Sequence, residues 1–201
     1  MTRHTAHTAR GEATRQRLLA AAREQILSGE GEMELAAVAA RAGVSPGLPY
    51  RYFASKSALL VAVVENFFDA LDDAVYRPVF EEVSSDWWER EKARIEKMVD
   101  FFYDQPLGRY VVSQLGGDAS TVAAQKARLT RQARGASANV RTGQKLGRVP
   151  PHVDADLCGP LLMGGVYEAL RTAHSGSRPV SKRRLVRSLQ TFMRNVLEIE
   201  E

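Results

Sequence analysis

Apolar residues recur every three or four positions along most of this 201-residue chain, and this spacing is what most constrains its fold. A helix places residues at such intervals on one face, whereas a half-buried strand needs alternation with a period of two. The chain has no sustained alternation of that kind. The sequence therefore predicts an all-α protein.

Glycine, proline and N-cap residues divide this pattern into nine helices. Residues 1–12 lack apolar periodicity and mix Thr, His, Ala and Arg, which predicts a flexible basic arm. The predicted helices run from Thr14 to Leu27, from Leu35 to Arg41, from an N-cap at Ser45, from Ser55 to about Tyr76, from Ser85 to before Pro106, from Leu107 to Leu115, from Ser120 to Gly147, from Asp154 to His174 and from Ser181 to Glu200.

Composition narrows the class of protein further. The net charge of +4 mildly favours an anionic partner such as DNA. Cys158 is the only cysteine, so no intramolecular disulfide can form, and neither a metal site nor a cofactor is expected. The chain has no apolar stretch of about 18 residues and no signal-like N-terminus. We therefore expect a cytoplasmic protein without a membrane partner.

The segment LAAVAARAGVSPGLPYRYFASKSALL, residues 35–60, carries the most specific motif. Small residues stand where two short helices meet (Ala39 and Ala42), Gly43 suits a left-handed turn, and Val44 follows as an apolar anchor. This spacing resembles the TetR family of repressors. The resemblance implies a three-helix DNA-binding domain with a helix-turn-helix at residues 13–58, and a helical effector-binding and dimerisation domain at residues 59–201.

In that family the second short helix lies in the major groove of operator DNA. The resemblance implies that Tyr50 and Tyr52 contact phosphates or base edges and that Lys56 holds a phosphate. Arg51 is the only residue of the reading surface able to contact guanine bidentately. The predicted DNA-binding residues are Ser45, Pro46, Gly47, Leu48, Tyr50, Arg51, Tyr52 and Lys56.

Two positions depart from the family pattern. Pro49 stands where the family has a larger apolar residue, and a proline biases the residue before it, Leu48, away from helical geometry. The recognition helix could therefore start directly after Ser45, or it could start later or be partly 3₁₀. Glu34 stands where Ser or Thr usually caps the first short helix. We expect specificity to depend on Arg51, Tyr52 and DNA shape.

The C-terminal region suggests two further sites, each with a simpler alternative. Aromatic and methionine side chains at helical spacing predict either an effector pocket or plain core. These residues are Phe67, Trp88, Met98, Phe102, Tyr110, Met163 and Tyr167. Glycines and an apolar stripe in the last two helices predict a homodimer interface or intrachain core, at Leu161, Gly165, Leu185, Leu189, Phe192 and Val196.

Residues 120–148 contain seven basic side chains and no acidic one. Interhelical ion pairs or a solvated face would explain them, and the alternative is an anionic effector, such as an acyl-CoA or a fatty or aromatic acid. The effector is thus expected to be anionic or hydrophobic. The basic residues are Lys126, Arg128, Arg131, Arg134, Arg141, Lys145 and Arg148.

These features together predict a ligand-responsive repressor that binds palindromic operator DNA as a homodimer and is released by a small molecule. The sequence shows neither a phosphate-binding glycine loop nor a nucleophile motif, so an enzyme is not expected. An enzyme that uses the helix-turn-helix for targeting would need clustered catalytic groups, which are not found. The other alternative is an architectural DNA-binding protein that responds to no ligand.

Overall fold

The computed structural model describes residues 9–113, 119–175 and 180–200. Within these ranges the fold is helical and contains no strand, as predicted. No helix there is both long and apolar enough to span a membrane. The helices are α1 (Ala9–Ser28), α2 (Leu35–Arg41), α3 (Pro49–Tyr52), α4 (Lys56–Leu71), a π-helix (Asp72–Tyr76), α5 (Trp87–Asp104), α6 (Gly108–Val112), α7 (Ala119–Lys145), α8 (Ala155–Ser175) and α9 (Lys182–Val196).

The described chain forms two compact units. The first includes residues 9–67 and the start of α7 to Gln125, and the second includes residues 68–113 and 126–200. The sequence-based domain boundary, after residue 58, lies earlier in α4 than the boundary between the units. The core of the first unit contains Leu18, Ile26, Val38 and Leu59, all fully buried.

The start of α1 corrects one prediction. The helix begins at Ala9, so residues 9–12 are helical and do not belong to a flexible arm; residues 1–8 lie outside the described range. Polar contacts one turn apart support this extension, since Gln16 donates to Glu12 over 2.7 Å and Thr14 donates to the carbonyl of Arg10 over 2.9 Å. Such contacts need no apolar stripe.

The predicted caps fare differently along the chain. The hydroxyls of Ser55 and Ser181 accept from the backbone N–H groups of Ala58 and Arg184, as N-caps do. The predicted cap at Ser85 is wrong, because the carboxylate of Asp86 accepts from the N–H groups at the start of α5. The predicted helix end at Leu115 and most of the loop before α9 lie outside the described residues.

Candidate functional site

The turn between α2 and α3 has the geometry that the sequence predicts. Gly43 has φ +63°, a left-handed conformation that is costly for residues with a Cβ. The Val44 N–H donates to the Ala39 carbonyl over 3.0 Å, and the Arg17 guanidinium donates to the Ala42 carbonyl. The turn is therefore fixed to α1 as well as to α2.

The recognition helix begins later than an N-cap at Ser45 would place it. The Ser45 carbonyl accepts from the Leu48 N–H over 3.0 Å within a turn, and α3 comprises only the four residues from Pro49 to Tyr52. Pro49 occupies the first helical position, where its fixed φ fits and its missing N–H costs no hydrogen bond. The predicted Ser45 cap is corrected, and the late start is the alternative that the structure supports.

All eight predicted DNA-binding residues are accessible. Leu48, Tyr52 and Lys56 are half-buried, and the other five are exposed: Ser45, Pro46, Gly47, Tyr50 and Arg51. Phe53, in contrast, is buried beneath the Arg15 guanidinium, which lies 5.7 Å from the centre of its ring. Phe53 is therefore a core residue, and the eight accessible residues form the reading surface.

Glu34 and Lys56 form an ion pair beside this surface. The Lys56 ammonium donates to Oε1 of Glu34 over 2.9 Å, and both side chains keep substantial exposure, at 40% and 75% for Lys56 and Glu34. Glu34 takes the N-cap position of α2, but its side chain caps no backbone N–H. Glu34, which departs from the family pattern, therefore has a different role from a cap. Its carboxylate binds Lys56, the lysine to which the resemblance assigns a phosphate contact.

The second unit contains a largely apolar cavity of about 210 Å³ that is partly open to solvent. Its walls come from the π-helix, α5, α7, α8, α9 and the residue after α9. The lining residues are Tyr76, Trp87, Glu91, Arg94, Ile95, Met98, Gly135, Ala136, Asn139, Val140, Leu162, Met163, Val166, Leu189, Met193 and Leu197.

Two of the seven predicted pocket residues, Met98 and Met163, are among the lining residues. The remaining five (Phe67, Trp88, Phe102, Tyr110 and Tyr167) are not, which corrects their placement. Phe102, for example, is 1% exposed and meets the Tyr167 ring edge-on at 6.0 Å, as core aromatics do.

The cavity wall contains a buried ion pair that the sequence did not predict. The Arg94 Nε lies 3.2 Å from Oε2 of Glu91, whose side chain is only 5% exposed. The guanidinium also donates to the carbonyls of Val75 and Pro78 and lies 5.0 Å from the ring centre of Phe80. Glu91 is four residues before Ile95 and seven before Met98, and an acidic residue on this apolar stripe was the signal that could have revealed it.

Tyr76 places a phenol in the same cavity from the π-helix. Its hydroxyl donates only to thioether sulfurs, those of Met98 at 3.6 Å and Met163 at 3.9 Å, which are weak acceptors. Burial raises the pKa of Tyr76 far above its usual value, and the negative charge of Asp72 raises it further. The phenol is therefore neutral at physiological pH and remains a donor.

Several basic residues of the 120–148 stretch form ion pairs with Asp side chains. Arg128 binds Asp69 at 2.7 Å and Asp72 at 3.4 Å, Arg148 binds Asp86 at 2.8 Å, and Arg141 binds Asp156. None of the seven basic residues of this stretch is among the described residues that line the cavity. This arrangement matches the ion-pair interpretation of the basic stretch.

A polar chain joins the π-helix to α7 and α8. Gln132 donates to Asp72 over 3.2 Å and accepts from the hydroxyl of Tyr167 over 2.7 Å. Asp72 and Tyr76 are the first and last residues of the π-helix, a rare element that occurs often at functional sites. The π-helix therefore contacts the polar chain at one end and the cavity at the other.

The predicted dimer residues differ in their exposure. Leu161 is 61% exposed, whereas Leu185 and Leu189 are 4% and 3% exposed and pack in the core of the protomer itself. Phe192 and Val196 are half-buried. A Cβ at Gly165 would lie 2.6 Å from the Phe192 ring, so this glycine permits close packing of α8 on α9 within one chain. Intrachain core is thus the better account of Leu185, Leu189 and Gly165.

Residues 18–63, which contain α2, the turn, α3 and the start of α4, match the family model of bacterial regulatory proteins of the TetR family. The chain thus carries a TetR-type DNA-binding domain and has the helical fold of TetR-family regulators.

Solved structures of TetR-family regulators share the fold. One from Pectobacterium atrosepticum is 22% identical, and the match covers 97% of this chain and 100% of that chain with a TM-score of 0.76. FadR from Bacillus subtilis in complex with stearoyl-CoA is 18% identical, with 89% and 96% covered and a TM-score of 0.68. AibR in complex with isovaleryl coenzyme A and operator DNA is 14% identical, with 90% and 97% covered and a TM-score of 0.66. A search of the curated proteins found no match.

Proposed function

We propose that this TetR-family regulator is a ligand-responsive repressor that binds palindromic operator DNA as a homodimer and leaves it when a small molecule enters the cavity of the second unit. The observation that carries this proposal is the combination of an accessible helix-turn-helix in one unit with a largely apolar cavity in the other. AibR supports it by analogy, since its structure contains both a coenzyme A ester and operator DNA.

The DNA contacts follow from the accessible residues around α3. Arg51 reads guanine in the major groove, and Tyr50, Tyr52 and Lys56 hold phosphates on either side. Because α3 has only four residues, one protomer reads few base pairs, and a single site would not compete with non-specific DNA. A dimer that presents two such helices about 34–36 Å apart reads two half-sites and meets this requirement.

An exposed apolar row on α8 supports a second copy of the chain as the partner. Leu157 and Leu161 are 64% and 61% exposed, and Pro160 and Gly164 complete the row at helical spacing. A two-fold related α8 would bury this row, with Phe192 and Val196 of α9 at its side. The dimer interface proposed here thus retains Leu161, Phe192 and Val196 from the sequence-based set.

Release of DNA requires a ligand that binds two protein conformations with different affinities. The π-helix is suited to this coupling because it continues directly from α4, the helix that begins beside the reading surface at Lys56. A ligand that contacts Tyr76 acts on this segment. A resulting tilt of α4 would change the spacing of the two recognition helices.

The proposal is tested by selecting genomic fragments that the full chain binds, and then screening compounds linked to the neighbouring genes for release. We expect a palindromic site, two protomers per site in analytical ultracentrifugation, and loss of binding in Arg51→Ala. Arg183→Ala, which changes an exposed arginine of α9, serves as the control. A protein that binds DNA only without sequence preference, and that no compound releases, would be the architectural alternative.

A further inference from the structure

We infer that the cavity of the second unit selects a compact, uncharged and mainly apolar molecule that carries one hydrogen-bond acceptor, such as a carbonyl oxygen, for the hydroxyl of Tyr76. This inference rests on the proposed function only in taking the cavity as the effector site. Of the two effector classes expected from the sequence, anionic and hydrophobic, the cavity favours the hydrophobic one.

The charges in the cavity wall exclude an ionic ligand. Among the described lining residues Glu91 and Arg94 carry opposite charges and bind each other, so the wall has no net charge. The Nη1 group of Arg94 also donates to the Val75 and Pro78 carbonyls, so Nε and Nη1 of this guanidinium already have partners in the protein. A bound anion would lack a counter-ion and would be repelled by Glu91, and a bound cation would be repelled by Arg94.

The hydroxyl of Tyr76 provides the polar contact. In the structure its partners are two thioether sulfurs at 3.6 Å and 3.9 Å, both from residues that also line the cavity. A carbonyl oxygen is a much stronger acceptor than a thioether. A ligand oxygen near Met98 and Met163 would therefore replace a weak hydrogen bond with a good one and would lose little in exchange.

The rest of the wall sets the size and polarity of the ligand. Ile95, Leu162, Val166 and Leu189 present aliphatic surface, and Trp87 adds an aromatic ring whose Nε1 already donates to Asn139 over 3.3 Å. At about 210 Å³ the cavity suits a small aromatic or branched compound. The diphosphate and 3′-phosphate groups of a coenzyme A ester would find no cation among the described lining residues other than Arg94, which is paired with Glu91.

Isothermal titration of the full chain with three probes of similar size tests the charge selection. Acetophenone is neutral with a carbonyl acceptor, benzoate is an anion, and benzylammonium is a cation. We expect acetophenone to bind at least tenfold more tightly than either ion. Benzoate or benzylammonium binding as tightly as acetophenone, or no acetophenone binding at millimolar concentration, would overturn the inference.

The Tyr76→Phe variant tests the hydrogen bond. It should weaken acetophenone binding about fivefold, the value of one neutral hydrogen bond, and leave ethylbenzene binding unchanged because ethylbenzene has no acceptor. Tyr103→Phe is the matched control, since it also removes a tyrosine hydroxyl that donates a hydrogen bond, in this case to the Val180 carbonyl, outside the cavity lining. Equal losses in both variants, or equal losses for both probes, would remove Tyr76 from the proposed contact.

The Glu91→Gln variant tests the cause of the charge selection. Without the carboxylate, Arg94 is left as a cation in the cavity wall, so benzoate should gain at least tenfold relative to acetophenone. An unchanged ratio would contradict the role given to the pair. If this variant does not fold, the probe series on the native chain and on Tyr76→Phe still decides the question.

The result is separable from the proposed function. Tight benzoate binding together with operator release would overturn the ligand class and leave the repressor model intact. Selective acetophenone binding by a chain that never recognises an operator would do the reverse. Titration and operator release are therefore measured on the same preparation.

Discussion

The helix-turn-helix and the cavity each contain a glutamate paired with a cation, and the two pairs differ in what surrounds them. Glu34 and Lys56 meet at 2.9 Å with 75% and 40% of their side chains exposed. Glu91 and Arg94 meet at 3.2 Å with 5% and 18% exposed. Two ion pairs of similar chemistry and length thus lie in different surroundings, one at the surface of the first unit and one in the interior of the second.

The difference in burial determines what each pair can do. In water the attraction between two charges is screened and offset by side-chain entropy, so Lys56 can leave Glu34 for a phosphate at little cost. In the interior, separating the charges leaves one of them without compensation, so Arg94 stays with Glu91. The first pair therefore modulates binding, whereas the second forms a permanent part of a cavity wall.

The largest effect should follow from removing the buried carboxylate. We expect Glu91→Ala to lower the free energy of unfolding by about 3 kcal/mol, because Arg94 would remain as an unpaired charge. Urea unfolding at a fixed protein concentration measures this loss. The fixed concentration matters because dimerisation would otherwise contribute to the apparent stability.

The control for this prediction replaces both partners. The double variant Glu91→Leu with Arg94→Met leaves no buried charge and should recover most of the stability lost in Glu91→Ala. A loss below about 1 kcal/mol in Glu91→Ala is what an exposed pair would give, and it would contradict the role assigned to burial.

The next effect concerns DNA affinity. We expect Lys56→Ala to weaken operator binding about tenfold and to reduce by about one the slope of log affinity against log salt concentration, as loss of one phosphate contact does. Fluorescence anisotropy over a range of salt concentrations measures both quantities. Lys145→Ala, which removes an exposed lysine from the end of α7, should change neither. An unchanged slope would remove Lys56 from the DNA contacts.

A smaller effect of opposite sign should follow from Glu34→Ser. Loss of the carboxylate frees Lys56 and removes a negative charge near the DNA, and serine can cap α2, so operator affinity should rise about threefold. Glu32→Ser is the control. Glu32 is an exposed glutamate two residues before Glu34, so its replacement removes one negative charge and leaves the pair between Glu34 and Lys56 intact. Equal gains in both variants would mean that only net charge matters.

The two regions also differ in how far the sequence predicted them. The helix-turn-helix is local: Ala39, Gly43 and the apolar anchor Val44 lie within a short segment, so their spacing alone predicts the turn. The cavity lining comes from helices far apart in the sequence. Periodicity predicted that α5 has an apolar face, but the rotation that selects Trp87 over Trp88 depends on packing against α7 and α9.

Elsewhere in the chain, too, packing distinguishes alternatives that the sequence left open. For Leu185 and Leu189 the sequence left a dimer interface and intrachain core open, since an apolar stripe on a terminal helix fits either. Contact with α5 and α8 buries them within one chain. The extension of α1 to Ala9 was missed for a different reason, because polar side-chain pairs stabilise that turn without an apolar signature.

The smallest expected effect completes the comparison of the two ion pairs. A double-mutant cycle with Glu34→Ala and Lys56→Ala should give a coupling energy of no more than about 0.5 kcal/mol in unfolding experiments, as exposed pairs do. The same cycle at Glu91 and Arg94 should exceed it several-fold, because there each single variant leaves a buried charge unpaired. Similar couplings at the two sites would mean that burial does not separate their roles, and Lys56 would then be held by Glu34 too firmly to be free for DNA.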